Sequence, residues 1–179
     1  QTLRGDTLYV AREDAATIEA GYRLPYTGAD EPARWLESTA LIQATDPRIV
    51  EQARRIVGEE DDPVQVARLL GEWVYDAVEK EITPSMPSAL QVLDSLRGDC
   101  NEHTVLYVAL ARALGLPART AAGLVEIEGR FFYHAWPEVW LDEWVAVDPT
   151  LGQYPADATH LRFVIGGLAR QVELVRLIG

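Results

Sequence analysis

The hydrophobic period of this chain changes once, at Ala118, and that change restricts the fold more than any other feature of the sequence. Before it, apolar residues recur every three to four positions, as on one side of a helix. After it they alternate, as in a half-buried strand. Helices first and paired strands second give an α+β pattern in which one helical layer must cover one sheet.

The helical half is punctuated by its own start signals. "DPRIVEQARRIVG" carries Asp46 at the N-cap, Pro47 at the first helical position and Gly58 just past the end. Ile49, Val50, Ala53, Ile56 and Val57 supply its apolar stripe. "DPVQVARLLGEWVYDAVEKEI" begins in the same way at Asp62 and buries Val66, Leu69, Leu70, Trp73, Val74 and Ala77. "PSMPSALQVLDSLRG" predicts a short helix capped by Ser88, with Gln91 at the capping-box position and Gly98 as its stop. "DCNEHTVLYVALARALGLP" pairs Asp99 with Glu102 in a further capping box and is apolar nearly all round. Such a helix belongs at the centre of the molecule, and it starts with Cys100.

The strand half reads as "ARTAAGLVEI", "RFFYHAWPEVWL" and "EWVAVD", joined by tight turns at Glu128-Gly129 and Asp142-Glu143. Consecutive strands so joined pair antiparallel. "HLRFVIG" is a fourth strand, and "LARQVELVRLI" is read as a terminal one. Residues 1–45 lack a period apart from a strand expected over 7–13. They read as an irregular arm that could be the remnant of an upstream domain, the chain beginning with Gln1 rather than Met.

Charge narrows the partners. The chain of 179 residues holds 16 Lys+Arg against 28 Asp+Glu, a net −12, which repels phosphate backbones and anionic membranes. Nucleic acid is therefore not an expected partner. No apolar run approaches the roughly 20 residues needed to span a bilayer. One cysteine forms no internal disulfide, so the fold does not depend on oxidation. No targeting segment is visible, and localisation stays open.

Cys100 admits three readings: apolar filler, metal ligand or nucleophile. A helix N-terminus favours a thiolate through its partial positive charge and free N–H groups, so its position predicts an activated sulfur. An activated sulfur needs a base. His134 lies inside a strand, rigidly placed among aromatic residues, and Asp148 ends the following strand. A bulge at Pro137 is expected to help the two meet. The three would form a nucleophile, a general acid/base and an orienting carboxylate. His103, one turn from Cys100, reads as structural, and so does His160 at a strand start. Glu102 reads as a capping residue. Trp136, Trp140 and Trp144 read as packing, with one of them free to wall a cleft.

These segments resemble the transglutaminase-like superfamily, with its papain-type core of cysteine, histidine and aspartate. The resemblance rests on "GDCNEHTVLYVALARALGLPAR", "YHAWPEVWL", "EWVAVDPT" and the preceding "PSALQVL", and covers roughly residues 46–165. It implies a papain-like/transglutaminase core over residues 46–179, with the nucleophile-bearing helix packed on the sheet. It also implies Cys100, His134 and Asp148 as the catalytic residues, acting on amide bonds of a peptide or protein through a thioester, as hydrolase or acyltransferase. No cofactor is implied, and "GEEDDP" lacks the spacing of a calcium loop. Two alternatives stay open: a catalytically silent module that binds a peptide or partner, and a zinc site using Cys100, His103 and His134, with Asp148 as a further ligand.

Overall fold

The computed structural model describes residues 1–82 and 88–166, so the terminal strand expected at 168–178 lies outside the described residues. The arm opens with an exposed hairpin of β1 (Thr2–Arg4) and β2 (Thr7–Tyr9) and includes a 3-10 turn over Glu31–Leu36. The strand expected over 7–13 is thus only its first three residues, paired back onto residues 2–4. The helices are α1 (Pro47–Val57) and α2 (Pro63–Ala77), then α3 (Ala89–Ser95) after the two-residue β3 (Glu79–Lys80). β4 (Arg97–Gly98) leads into α4 (Cys100–Ala113). The sheet comprises β5 (Ala118–Ile127), β6 (Arg130–Trp140), β7 (Trp144–Ala146) and β8 (His160–Ile165).

The helix starts follow the expected caps. Asp46 accepts from the Arg48 N–H, Asp62 from Val64 and Gln65, and Ser88 and Asp99 each close a capping box with the residue three positions on. Each such cap contributes about 1 kcal/mol. α1 stops at Gly58 as expected, but the next two helices end short of their segments. α2 ends at Ala77 because Val78 turns extended and hands the chain to β3, which pairs parallel with β4. α3 ends at Leu96, which itself takes the left-handed conformation (φ 49°), so Gly98 is not the stop.

α4 is the axis of the molecule. Leu106, Tyr107, Val108, Ala109 and Leu110 are all fully buried, between α1, α2 and α3 on one side and the sheet on the other. The Tyr107 hydroxyl donates to the Ala67 carbonyl of α2 at 3.0 Å, so even its one polar atom is satisfied. The α+β architecture expected from the period change is the one observed.

The sheet order is β7-β6-β5-β8, antiparallel throughout. Glu128 and Gly129 both take positive φ (51° and 79°), the conformation of a two-residue hairpin turn. The register of β5 with β6 runs unbroken through Thr120 and Pro137, so the bulge expected at Pro137 is absent. Pro137 is tolerated because its carbonyl still accepts from the Val147 N–H while its own nitrogen has nothing to donate. The irregularity lies instead between β5 and β8, at Ala122/Gly123. A Cβ on Gly123 would sit 1.9 Å from the Leu161 carbonyl oxygen, so only glycine allows that approach. β7 pairs with β6 only from Glu138 to Trp140, so among the described residues no strand pairs with β6 at His134 on that side.

Candidate active site

Cys100 enters its position through Gly98 (φ +157°), where a Cβ would meet the Glu102 Cβ at 2.2 Å. That close approach lets the Glu102 carboxylate reach back to the Asp99 N–H at 3.0 Å while Asp99 accepts from Asn101 at 2.9 Å. The half-buried sulfur then packs on Ala122 of β5 and Ala135 of β6, with Tyr133 and Val164 beside it. Burial, then the Asp99 carboxylate, push the thiol up to about 12; Asp148 and Glu102 add to this and the Ala135 backbone N–H opposes it. The helix start was expected to lower this value. Burial and three carboxylates act the other way, because a thiolate here would lose its water and face negative charge.

His134 is one residue from Ala135 and its ring leaves the opposite face of β6. Its Nε2 lies 2.6 Å from Asp148 Oδ2. With the carboxylate ionised, Nε2–H is the donor, and the neutral ring then keeps its lone pair on Nδ1. Asp148 reaches it because the β6–β7 ladder, continued by the Val147 N–H to Pro137 bond, sets Asp148 level with Trp136, two residues along the same face. Asp148 is completely buried, and its Oδ1 accepts from the Thr150 and Leu151 N–H groups at 2.8 and 2.9 Å. Burial alone would raise its pKa. The hydrogen bonds from the two imidazoles outweigh that and hold it well below the usual carboxylate range.

The structure thus joins His134 to Asp148 and seats Cys100 against the two residues flanking His134. No hydrogen bond joins the sulfur to the ring among the described residues.

His160, read from the sequence as structural, belongs to this site. Its Nε2 lies 2.9 Å from the same Asp148 oxygen, and its Nδ1 faces the Asp157 carbonyl and carboxylate at 3.2 and 3.3 Å. Gly123, the residue of β5 opposite His134, has no side chain, and the two imidazoles approach to 5.7 Å between centroids. Trp136 packs on both, stacked on His134 at 6.0 Å and edge-on to His160 at 5.0 Å. No local signal reveals His160, since its placement depends on β8 pairing with β5 instead of with its sequence neighbour β7.

His103 is buried, with Nδ1 2.6 Å from the Asp99 carbonyl, and burial lowers its pKa; it is a neutral prop of the helix start. Among the described residues the trio able to approach a metal is His134, Asp148 and His160, not Cys100, His103 and His134. Its N···O separations of 2.6 and 2.9 Å suit hydrogen bonds. Ligands around a tetrahedral zinc would stand roughly 3.3 to 3.6 Å apart, so the trio as arranged is no metal cage. A cavity of about 240 Å³ borders Asp148 from the side of α2, lined by Arg68, Glu72, Tyr75 and Gln153. Cys100 does not line it, so it is not where a group attached to the sulfur would sit.

The family model of the transglutaminase-like superfamily matches residues 50–149, a span that contains Cys100, His134 and Asp148 and stops short of His160. A Haemophilus influenzae protein described as "Uncharacterized protein" is 30% identical over 95 residues, 50% of this chain and 26% of that protein. The crystal structure of a "Putative Cysteine Protease" from Cytophaga hutchinsonii superposes with a TM-score of 0.72 at 21% identity, over 92% of this chain and 56% of that one. The periplasmic domain of TgpA from Pseudomonas aeruginosa does so with a TM-score of 0.54 at 22% identity, over 69% and 49%. The chain therefore spans about a quarter to half of the length of these relatives, and the structural likenesses show the fold. With more than half of its residues inside the family model, the chain belongs to the transglutaminase-like superfamily.

Proposed function

We propose that this domain is a cysteine-dependent enzyme that cleaves or exchanges amide bonds of a peptide or protein through a thioester, with Cys100 as nucleophile, His134 as general acid/base and Asp148 as the residue that orients His134. The observation that carries this reading is the buried 2.6 Å contact of His134 Nε2 with Asp148, one residue from the backbone against which the sulfur rests. A carboxylate on Nε2 selects the tautomer whose Nδ1 can accept a proton.

The raised thiol supports one order of events. Losing its proton to solvent would leave a thiolate among Asp99, Asp148 and Glu102. Passing it to His134 keeps the pair neutral overall, and Asp148 stabilises the imidazolium. The sulfur accordingly attacks the substrate carbonyl as His134 takes its proton. The C–N bond then breaks as the imidazolium protonates the leaving amine. Water or a second amine attacks the thioester and gives its proton to His134, the C–S bond breaks, and the departing sulfur takes the proton from the imidazolium to restore the thiol. The Cys100 N–H, unpaired within the first turn of α4, is the natural donor to the developing oxyanion.

The missing bond between sulfur and ring favours a second reading, a silent module that binds a peptide without turning it over. Incubation with glutaminyl and peptide amide probes, with and without a primary amine, separates the two. A thioester trapped on Cys100 and absent in Cys100→Ala supports the enzyme. Release of acid alone makes it a hydrolase, and capture of the amine a transferase. Probe binding without a covalent adduct supports the silent module.

A further inference from the structure

The second imidazole on Asp148 has no part in the chemistry above, and its surroundings give it one. Asp148 Oδ2 is shared, at 2.6 Å by His134 and 2.9 Å by His160, while Oδ1 is saturated by two backbone N–H groups. Every lone-pair direction of this buried carboxylate is occupied. His160 is 5% exposed and meets oxygen acceptors at both ring nitrogens, Asp148 at Nε2 and Asp157 at Nδ1. A neutral imidazole has one N–H, so it would set a bare lone pair against one of these oxygens. Only the imidazolium donates to both.

We infer that His160 is a positioning residue, held as an imidazolium between Asp148 and Asp157, whose charge limits the pull of Asp148 on His134 and so sets the pH range in which His134 is free to accept the Cys100 proton. The inference rests on the assignment of His134 as the base. A carboxylate bonded to His134 alone would hold a proton on that ring tightly and make it a poor base near neutrality. The cation of His160 on the same oxygen cancels much of that field and leaves the orienting hydrogen bond intact.

The other groups around the pair do not supply a rival charge. Glu138 and Arg162 border His160 through a cavity of about 70 Å³, paired with each other at 2.5 Å. Glu138 is also neutralised by Arg119 at 2.7 Å. Glu13 of the arm lines the same cavity. Trp136 contributes only its rings, and Thr159 stands 3.5 Å from Nδ1. Burial would drive the proton off His160, but the hydrogen bonds and charges of Asp148 and Asp157 outweigh it and raise the ring above its ordinary value.

The test is the pH dependence of iodoacetamide alkylation of Cys100 in the wild-type chain and in His160→Gln, which keeps an N–H donor for Asp148 and removes the charge. The acid limb should move up by roughly 1 pH unit. Alkylation below the limb then falls about tenfold and recovers towards wild type above it. A residue with a merely structural role would lower the rate at every pH and leave the limb in place, and that result in a folded variant overturns the proposal. Should His160→Gln not fold, ¹⁵N NMR of the wild-type rings decides: both His160 nitrogens protonated at about pH 6.5, the ordinary imidazole midpoint, is expected, and a neutral ring there overturns it. His134→Ala is run alongside. Loss of alkylation there with an unmoved limb in His160→Gln sinks only the His160 inference, whereas an unchanged rate in His134→Ala sinks the base assignment beneath it.

Discussion

Replacing His134 by alanine removes the only proton acceptor assigned to the Cys100 thiol, and the structure fixes how much that should cost. Asp148 keeps His160 and two backbone donors, so the change strands no buried charge and the domain should fold. The sulfur is then left with its own ionisation, pushed up to about 12. At pH 7 that is five decades away (12 − 7 = 5), so about 1 molecule in 100,000 carries a thiolate. An ordinary thiol of pKa about 8.5 is roughly 3% ionised at the same pH, a difference of about 3,000-fold. A more basic thiolate is a better nucleophile, and a Brønsted slope near 0.45 over about 3.5 units returns roughly 40-fold. Iodoacetamide should therefore alkylate His134→Ala more slowly than free cysteine by a factor on the order of 100, with a rate still rising at pH 10. The wild type should match or exceed free cysteine at pH 7. A variant that reacts like the wild type, or that follows the titration curve of an ordinary thiol, would refute the reasoning.

Other consequences follow from the same site. Asp99→Asn keeps an equally good N-cap and removes the largest charge opposing the thiolate, so alkylation should quicken several-fold with the urea midpoint unchanged; an unchanged rate counts against the electrostatic account. Gly98→Ala drives a Cβ into Glu102, which should cost about 1 to 3 kcal/mol in urea unfolding and slow Cys100 alkylation as the helix start shifts. The Asp148–His160 pair also predicts a stability optimum. The lowered Asp148 contributes fully above its unfolded value of about 3.9 and is lost as pH falls through its folded value, whereas the raised His160 contributes fully below about 6.5 and is lost as pH rises through its folded value. Unfolding free energy should peak between about pH 4 and 6.5, and His160→Gln should remove the alkaline decline attributable to this ring.

The helical half was legible because each start is written locally: Asp46-Pro47, Asp62-Pro63, Ser88 with Gln91 and Asp99 with Glu102 all cap where expected. The hairpin over 118–140 was legible through alternation and the Glu128-Gly129 turn. What failed depended on partners distant in sequence. α2 stops early because residues 79–80 find 97–98, and the arm strand is short because only residues 2–4 meet it. His160 was missed for the same reason, since nothing near it in sequence announces that β8 docks on β5 across Gly123. The direction of the thiol shift was misjudged because position at a helix start is readable, while the carboxylates that gather round it, Asp148 in particular, are not local to it.

The claim that Cys100, His134 and Asp148 act as a unit is tested most directly by a double-mutant cycle on acylation of Cys100 by a p-nitrophenyl ester. Nitrophenolate release gives the rate, and intact mass confirms a hydroxylamine-labile adduct on the sulfur. If Asp148 works only through His134, the His134→Ala/Asp148→Ala protein should be acylated no more slowly than His134→Ala alone. Losses that add, or an adduct that forms elsewhere than Cys100, would contradict the account.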